Sequence, residues 1–318
     1  MGNLSRRVFG VDAKEASFET RGFWGDPEVC SRLESIAATF LVGYHAALED
    51  PRPGPLTRRL RDVPHTARGW AYEGAGMGVT VLDSLTPWRA PRRLRAVLAD
   101  SAGPYTYLVH VGAGWALARL HLPVGWLLRR LDPLLGWLAL DGFGFHEGFF
   151  HPDHTLDKRG VPSRLKGYAR RAFDQGVGRS LWFSHAADVE RVVARLGTFE
   201  ANRRSDLWSG VGLAATYAGF VSRDDLVHLR RSAGPHRAAL AQGSAFAAKA
   251  RLRAGHPTPA MTLACEVLCE SGPEVAAAVT DHALADLPEG LGLDSPAPAF
   301  EVWRMRIQQR WADAGVAA

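Results

Sequence analysis

The chain contains little cysteine and no long apolar run, and each shortage excludes a class of protein. Three cysteines in 318 residues are too few for the disulfide framework that holds small secreted domains together. No run of 18 or more residues is apolar throughout, so no membrane-spanning helix is expected. Residues 1–12 contain Arg6 and Arg7 but no apolar core, so we expect no signal peptide. We therefore expect a cytoplasmic protein.

Lysine is also scarce, and the net charge of +5 and pI near 9.4 come mostly from arginine. Arginine pairs are spread along the chain, from Arg58-Arg59 to Arg230-Arg231, rather than gathered in one block. Nucleic-acid-binding proteins carry a basic stripe with interleaved aromatic residues or a known module, and this sequence has neither. We expect no nucleic-acid partner. The stretch 115–140 is rich in Trp and Leu with arginine flanks. It leaves peripheral membrane contact open, although a buried helical hairpin is the simpler explanation.

Strand signals are weak, whereas helix signals recur. Residues 33–41 place apolar side chains at three- and four-residue steps, as an amphipathic helix does. Ser222 and Asp225 have the spacing of a capping box. The β-rich stretches 79–82 and 105–111 have counterparts later in the chain that indicate helix. We predict an all-α protein of about ten helices.

Glycine and tryptophan, with 33 and 10 residues, are abundant. Glycine inside apolar segments predicts a close approach of two backbones, or room left for a ligand.

Blocks of sequence recur in the same order at offsets of about 130–136 residues. Ser101-Ala102-Gly103-Pro104 returns as Ser232-Ala233-Gly234-Pro235. Other matched residues are Phe40 and Gly43 with Phe173 and Gly176, Arg68, Gly74 and Gly76 with Arg204, Gly210 and Gly212, and Gly112 with Gly243. Ordered recurrence indicates an internal duplication. We predict an arm (1–30), unit A (31–160), unit B (161–295) and a C-terminal helix (296–318), with the two units packed as pseudo-symmetric bundles in one compact domain.

The two copies differ most between Asp141 and His154, where three imidazoles and three carboxylates fall within 14 residues. The matching segment begins at Ala276-Ala277-Ala278 and has no such cluster. Histidine titrates near neutral pH and a carboxylate can orient its ring. We predict catalytic roles for His146, Glu147 and Asp141. The structural alternative is an aromatic turn in which His146 is only hydrogen-bonded in place.

The same segment offers metal ligands. His146, His151 and His154 suit zinc or iron. Pro152 breaks any helix, however, so these three side chains are not expected on one helix face. We expect no cofactor, with zinc or iron as the alternative.

Glu73 is the second candidate because it lies in the apolar, glycine-rich stretch 70–78. A buried carboxylate needs a partner such as Arg204, or it stays protonated or carries protons. Its counterpart in the second copy is Ser209. We predict catalytic roles for Glu73 and Tyr72. No strand precedes these glycines, which excludes a dinucleotide-binding loop.

Aromatic and polar residues elsewhere are expected to line a cleft for the substrate. Arg179 or Arg204 can pair with Asp206 or Glu73, or hold a carboxylate or phosphate. Gln242 can orient a ligand or join two helices. The predicted substrate-binding residues are Trp70, Phe145, Arg179, Trp182, Arg204, Asp206, Trp208 and Gln242.

Five motifs carry a resemblance to a known family. They are Tyr72-Glu73-Gly74-Ala75, the segment 141–150, the segment 176–183, the segment 206–214 and Ala241-Gln242-Gly243-Ser244-Ala245-Phe246. The chain resembles a family of unknown-function proteins that occurs in actinobacteria beside enediyne polyketide synthases, from about residue 30 to Trp303-Arg304. The resemblance implies a role in maturing the synthase's polyene into an enediyne core. It implies an apolar polyene, the synthase and other proteins of the biosynthetic cassette as partners, and it carries over no catalytic residue.

These observations leave three functions open. The first is an enzyme of antibiotic biosynthesis that acts on a polyene or polyyne by acid–base chemistry in an apolar cleft. The second is a non-catalytic protein that binds the intermediate or serves as a scaffold. The third is a metal-dependent oxidoreductase.

Overall fold

The computed structural model describes residues 2–88, 90–100, 102–288, 292–293 and 295–314. Its α-helices are α1 (Gly2–Phe9), α2 (Phe18–Arg21), α3 (Pro27–Glu49), α4 (Pro53–Arg61), α5 (Arg68–Ser84), α6 (Arg92–Asp100), α7 (Thr106–Arg119), α8 (Val124–Leu128), α9 (Leu138–Phe150), α10 (Tyr168–Ser184), α11 (Val189–Gly197), α12 (Ala201–Tyr217), α13 (Arg223–Ser232), α14 (Arg237–Arg253), α15 (Pro259–Leu268), α16 (Pro273–His282) and α17 (Ala299–Ala314). Strands are absent from these described residues. The all-α prediction is confirmed, with 17 α-helices where about ten were expected. Ser101 of the first repeat block and residues 315–318 of the predicted C-terminal helix lie outside the described residues.

Local sequence explains where several helices begin. Asp26 precedes α3, and its carboxylate accepts the backbone N–H groups of Glu28 and Val29 at 2.9 and 3.0 Å. Ser222 and Asp225 form the predicted capping box at the start of α13. Side-chain oxygens at these positions satisfy N–H groups that have no partner within the helix.

The chain divides into two compact units between Phe143 and Gly144, within α9. The first unit packs α3 on α5 and α5 on α7, and α7 also contacts the start of α9. The second packs the end of α9 on α10, α10 on α12 and α12 on α14. This division precedes the boundary expected after residue 160, and the internal duplication stays a prediction.

Glycine brings the long helices of the first unit into backbone contact. A Cβ atom on Gly43 of α3 would lie 1.8 Å from the carbonyl oxygen of Ala71, and one on Gly74 of α5 would lie 1.9 Å from that of Phe40. The same reciprocal contact joins Gly76 with Val109 and Gly112 with Glu73, and Gly114 with Ala139 and Gly142 with Val111. Only glycine fits where two helix backbones meet this closely.

The second unit repeats this arrangement. A Cβ on Gly178 of α10 would lie 2.0 Å from the carbonyl oxygen of Leu207, and one on Gly210 of α12 would lie 1.9 Å from that of Gln175. Gly212 with Leu240 and Gly243 with Ser209 join α12 to α14 in the same way. A residue in an α-helix turns by about 100° from the one before it. The two glycines of a Gly-x-Gly sequence therefore face opposite sides, one toward the preceding helix and one toward the next.

Two further expectations concern the apolar parts of the chain. Cys265 and Cys269 are buried, reduced and packed in an apolar cluster with Met261 and Ala245, as expected for structural thiols. Among the described helices, none combines the length and the apolar character that a membrane span requires.

Candidate functional site

Three side chains with metal-binding or proton-transfer chemistry meet at the end of α9. One ligand atom each of His146, Glu147 and His151 lies within 4.8 Å of the other two. The Nδ1 atom of His146 is 3.1 Å from Oε1 of Glu147. We call these three residues the His–Glu–His cluster.

Backbone geometry at the helix end explains why His151 joins the other two residues. α9 ends at Phe150, yet the N–H of His151 still donates to the carbonyl oxygen of Glu147 at 2.9 Å. Residues four apart in a helix lie on the same face, so His151 is placed beside Glu147. Pro152 follows, and the chain continues into a π-helical turn at Asp153–Asp157.

The cluster passes from the interior to the surface. His146 is only 4% exposed, the Glu147 side chain is 17% exposed, and His151 is exposed. The His146 ring packs against Phe150 at a centroid distance of 4.8 Å. A buried imidazole with apolar contacts is therefore connected to solvent through Glu147 and His151.

The charges around Glu147 keep it ionised. Burial alone would raise the pKa of Glu147. The hydrogen bond with His146 and the electrostatic attraction of His146, His151 and Arg164 outweigh burial, so the pKa of Glu147 lies below its usual value. The carboxylate can therefore orient and stabilise a protonated imidazole at neutral pH.

His154 and Asp141 were also predicted for this site. The His154 ring covers Gly160, where an added Cβ would lie 2.3 Å from the imidazole Cε1, and His154 is not in the cluster. The predicted metal ligands were His146, His151 and His154. The structure brings His146 and His151 together, with Glu147 rather than His154 as the third possible ligand. Asp141 is buried in the part of α9 that belongs to the first unit, and its catalytic role stays a prediction.

Glu73 lies in α5 of the first unit and is 1% exposed. Its Oε1 atom accepts a hydrogen bond from the indole N–H of Trp115 at 3.1 Å. Tyr72 stacks on Tyr105 at a centroid distance of 4.3 Å, and Trp70 is buried nearby in sequence. The sequence identified Glu73 but not its indole donor, because α5 and α7 are brought together only by the glycine contacts.

Asp206 belongs to a buried ionic network in the second unit. Its carboxylate meets Nε of Arg171 at 2.9 Å and Nη1 of Arg304 at 2.9 Å. Glu301 pairs with both arginines. Arg304, Asp206 and Glu301 are between 0 and 3% exposed. Arg171 reaches both carboxylates from the surface, where its side chain is 44% exposed. Two positive charges thus balance the two buried carboxylates, as buried ions require.

Arg204 was one of the two arginines that the sequence offered as a partner for Asp206 or Glu73, and the pairing with Asp206 was wrong. Arg204 donates instead to the backbone carbonyl oxygens of Phe199 and Gly197, at 2.9 and 2.8 Å. Residues two apart in a helix do not face each other, so Arg204 and Asp206 cannot share one side of α12. The actual partners, Arg171 and Arg304, come from α10 and α17, and neither gives a local signal in the sequence.

The other predicted substrate-binding residues make internal contacts. Gln242 is fully buried, and its Oε1 accepts from Ser209 Oγ at 2.9 Å and Arg304 Nε at 3.2 Å. The indole N–H of Trp182 donates to the carbonyl oxygen of Gly219 at 3.1 Å. The Arg179 guanidinium lies 5.1 Å from the centre of the Phe145 ring, and Trp208 is 4% exposed. Substrate binding by these residues stays a prediction.

Comparison with known proteins places the whole chain in one family. The chain belongs to the DUF1702 family, proteins of unknown function, whose family model matches residues 1–311. No curated protein and no solved structure matches it. Membership of an unknown-function family along nearly the whole chain is therefore confirmed.

Proposed function

We propose that this member of the DUF1702 family is an enzyme whose reaction centre is the His–Glu–His cluster, with His146 as the acid–base residue. The observation that carries the proposal is the 3.1 Å contact between Nδ1 of the buried His146 and Oε1 of Glu147. A buried imidazole held by a carboxylate is the arrangement that enzymes use for proton transfer.

The contact assigns the two ring nitrogens different tasks. An ionised Glu147 can only accept a hydrogen bond, so Nδ1 of His146 carries the hydrogen. The Nε2 atom of the neutral ring then carries the lone pair that can take a proton from a substrate and return it. Glu147 stabilises the imidazolium that forms, and burial of His146 (4% exposed) strengthens that stabilisation.

For the substrate, we propose an apolar polyene or polyyne of enediyne biosynthesis in an actinobacterium. The support is the sequence resemblance at residues 141–150 and the other quoted motifs. The Phe150 ring packs against His146, and the Phe149 ring lies 5.2 Å from the Phe150 ring. Aromatic side chains beside a single polar centre suit a flat apolar ligand.

Three single variants test the proposal, with enediyne core formation in a producing strain that lacks the wild-type gene as the measurement. His146→Ala removes the acid–base group and should reduce product at least about a hundredfold. Glu147→Gln keeps the shape but removes the charge and should reduce product as well. His154→Ala is the matched control, because His154 is exposed and outside the cluster, and it should keep full product.

The same variants separate catalysis from a scaffold role. Far-UV circular dichroism of each purified variant establishes that it is folded. A folded His146→Ala protein that supports normal product would refute the acid–base role and leave a non-catalytic binding or scaffold protein as the better explanation. Loss of product in His154→Ala alone would indicate that the reaction centre lies outside the His–Glu–His cluster.

A metal-dependent enzyme is the second candidate, and the position of His151 favours it. Two imidazole nitrogens and one carboxylate oxygen within 4.8 Å form a donor set that suits zinc or iron and leaves coordination positions open. Elemental analysis of natively purified protein tests this directly. Near-stoichiometric metal that is lost in His151→Ala and kept in His154→Ala supports the metal centre. Metal content that is unchanged in His146→Ala contradicts it.

A further inference from the structure

A cavity of about 380 Å³ opens beside His110 in the first unit. Four leucines from α6 and the segment before α9 supply its apolar wall, namely Leu94, Leu98, Leu131 and Leu135. The polar groups at the cavity include His110, Arg95 and Arg130. We call this space the His110 cavity; it shares no residue with the His–Glu–His cluster.

His110 lines the cavity and carries a buried hydrogen-bond acceptor that has no partner among the described residues. The residue is 2% exposed, and its Nδ1 atom lies 2.7 Å from the carbonyl oxygen of Thr106. A carbonyl only accepts, so Nδ1 carries the hydrogen. Burial lowers the pKa of His110, which keeps the ring neutral with a lone pair on Nε2. Within the described part of the chain, Nε2 has no hydrogen-bond partner. A buried acceptor of this kind favours a ligand that donates a hydrogen bond.

The charged side chains at the cavity favour an anionic end on the same ligand. Arg95 is exposed, and Arg130 is held by hydrogen bonds to the carbonyl oxygens of Trp126 and Pro87 at 2.9 and 3.0 Å. Asp132 also lines the cavity, but its Oδ1 atom accepts the backbone N–H groups of residues 134 and 135. These three side chains together carry one net positive charge.

We propose that the His110 cavity binds an aliphatic hydroxy acid, with its hydroxyl donating to Nε2 of His110 and its carboxylate facing Arg95. The hydrocarbon chain then contacts the leucine wall. A volume of about 380 Å³ lies within the range of about 300–1,000 Å³ that is typical of small-molecule sites. A ten-carbon chain with a hydroxyl and a carboxylate is a small-molecule ligand of this class. The proposal is independent of the reaction proposed for the His–Glu–His cluster.

Isothermal titration of the full chain with three probes tests this ligand class. The probes are 10-hydroxydecanoate, decanoate, which lacks the hydroxyl, and 1,10-decanediol, which lacks the carboxylate. They are titrated to low millimolar concentrations, since ligands of this size bind in that range or more tightly. We expect 10-hydroxydecanoate to bind about three- to tenfold more tightly than decanoate, the gain from one hydrogen bond. Failure of all three probes to bind, or equal affinity for 10-hydroxydecanoate and decanoate, overturns the proposal.

Variants assign the binding to this cavity. His110→Phe removes the acceptor, so the preference for 10-hydroxydecanoate over decanoate should disappear. Because a core substitution can disturb folding, Leu98→Trp provides a second variant at a half-buried wall position; it fills the cavity and should abolish binding of every probe. Val275→Trp is the matched control, since Val275 is 58% exposed in the second unit. Unchanged binding in Leu98→Trp, or equal loss in Val275→Trp, would contradict the assignment.

Discussion

Replacing Gly210 with alanine tests whether backbone contact holds the second unit together. A Cβ at this position would lie 1.9 Å from the carbonyl oxygen of Gln175, whereas real Cβ atoms essentially never come closer than 3.0 Å. The two backbones must therefore separate by at least 1.1 Å along that line. The obstructing atom belongs to α10 itself, so no side-chain rotation relieves the overlap.

The expected loss exceeds what alanine gains as a helix former. Overpacking typically costs about 1–3 kcal/mol and occasionally more. Because backbone meets backbone here, we expect the upper end, about 3 kcal/mol, while alanine in place of glycine favours a helix by about 1 kcal/mol. We expect a net loss of at least about 2 kcal/mol in the free energy of unfolding. For a chain of 318 residues, that loss lowers the melting temperature by about 3 °C or more.

Gly197→Ala is the matched control, because Gly197 ends α11 and an added Cβ there meets no atom within 4 Å. Its helix gains the alanine propensity without a clash, so the melting temperature should rise by about 1–2 °C. Scanning calorimetry at one scan rate compares both variants with the wild type. If Gly210→Ala melts at or above the wild-type temperature, the close-contact argument is wrong.

Three further expectations concern charge and capping. Asp206→Asn should lower the free energy of unfolding by about 3–5 kcal/mol, because it leaves the fully buried Arg304 without one of its two carboxylates; a urea midpoint equal to the wild type would contradict this. Burial and the nearby Arg191 and Arg195 lower the pKa of His185 to about 4, from the ordinary histidine value of about 6.5. His185 of the unfolded chain then becomes protonated below about pH 6.5, whereas His185 of the folded chain stays neutral down to about pH 4. The free energy of unfolding should therefore fall by about 3 kcal/mol as the pH is lowered through this range. In urea titrations between pH 7 and pH 4, the free energy of unfolding of His185→Gln should fall less with decreasing pH than that of the wild type. An equal fall in both proteins would refute the assignment. Ser222→Ala removes the cap of α13 and should cost about 1 kcal/mol, whereas Ser35→Ala, at an exposed position within α3, should cost less in the same denaturation assay.

The glycines could be predicted from the sequence only in part. Their abundance in apolar segments predicted close approach of backbones, and the contacts of Gly43, Gly74 and Gly210 confirm it. Which helices touch was not predictable, because the contact atoms are carbonyl oxygens that every residue has. Glycines within the helices also recur at a shorter interval: Gly142 is followed by Gly176 and Gly210 at intervals of 34 residues.

The candidate site was predictable where it depends on neighbouring residues in the sequence. His146, Glu147 and His151 are close along the chain, and their residue types indicated proton or metal chemistry before any geometry was known. The selection of Glu147 over His154 depends on how the chain leaves α9, where the backbone bond to His151 continues past Phe150. Arg304 and Trp115 were missed as partners because they reach Asp206 and Glu73 from distant helices.

The paired glycines also restrict how the length of this chain can change. One residue inserted between Gly74 and Gly76 would rotate the second glycine by about 100° relative to the first, and a bulkier side chain would then face α7. The connections between helices carry no such angular requirement. Family members of different length should therefore gain and lose residues in the loops, while the number of residues between paired glycines stays fixed.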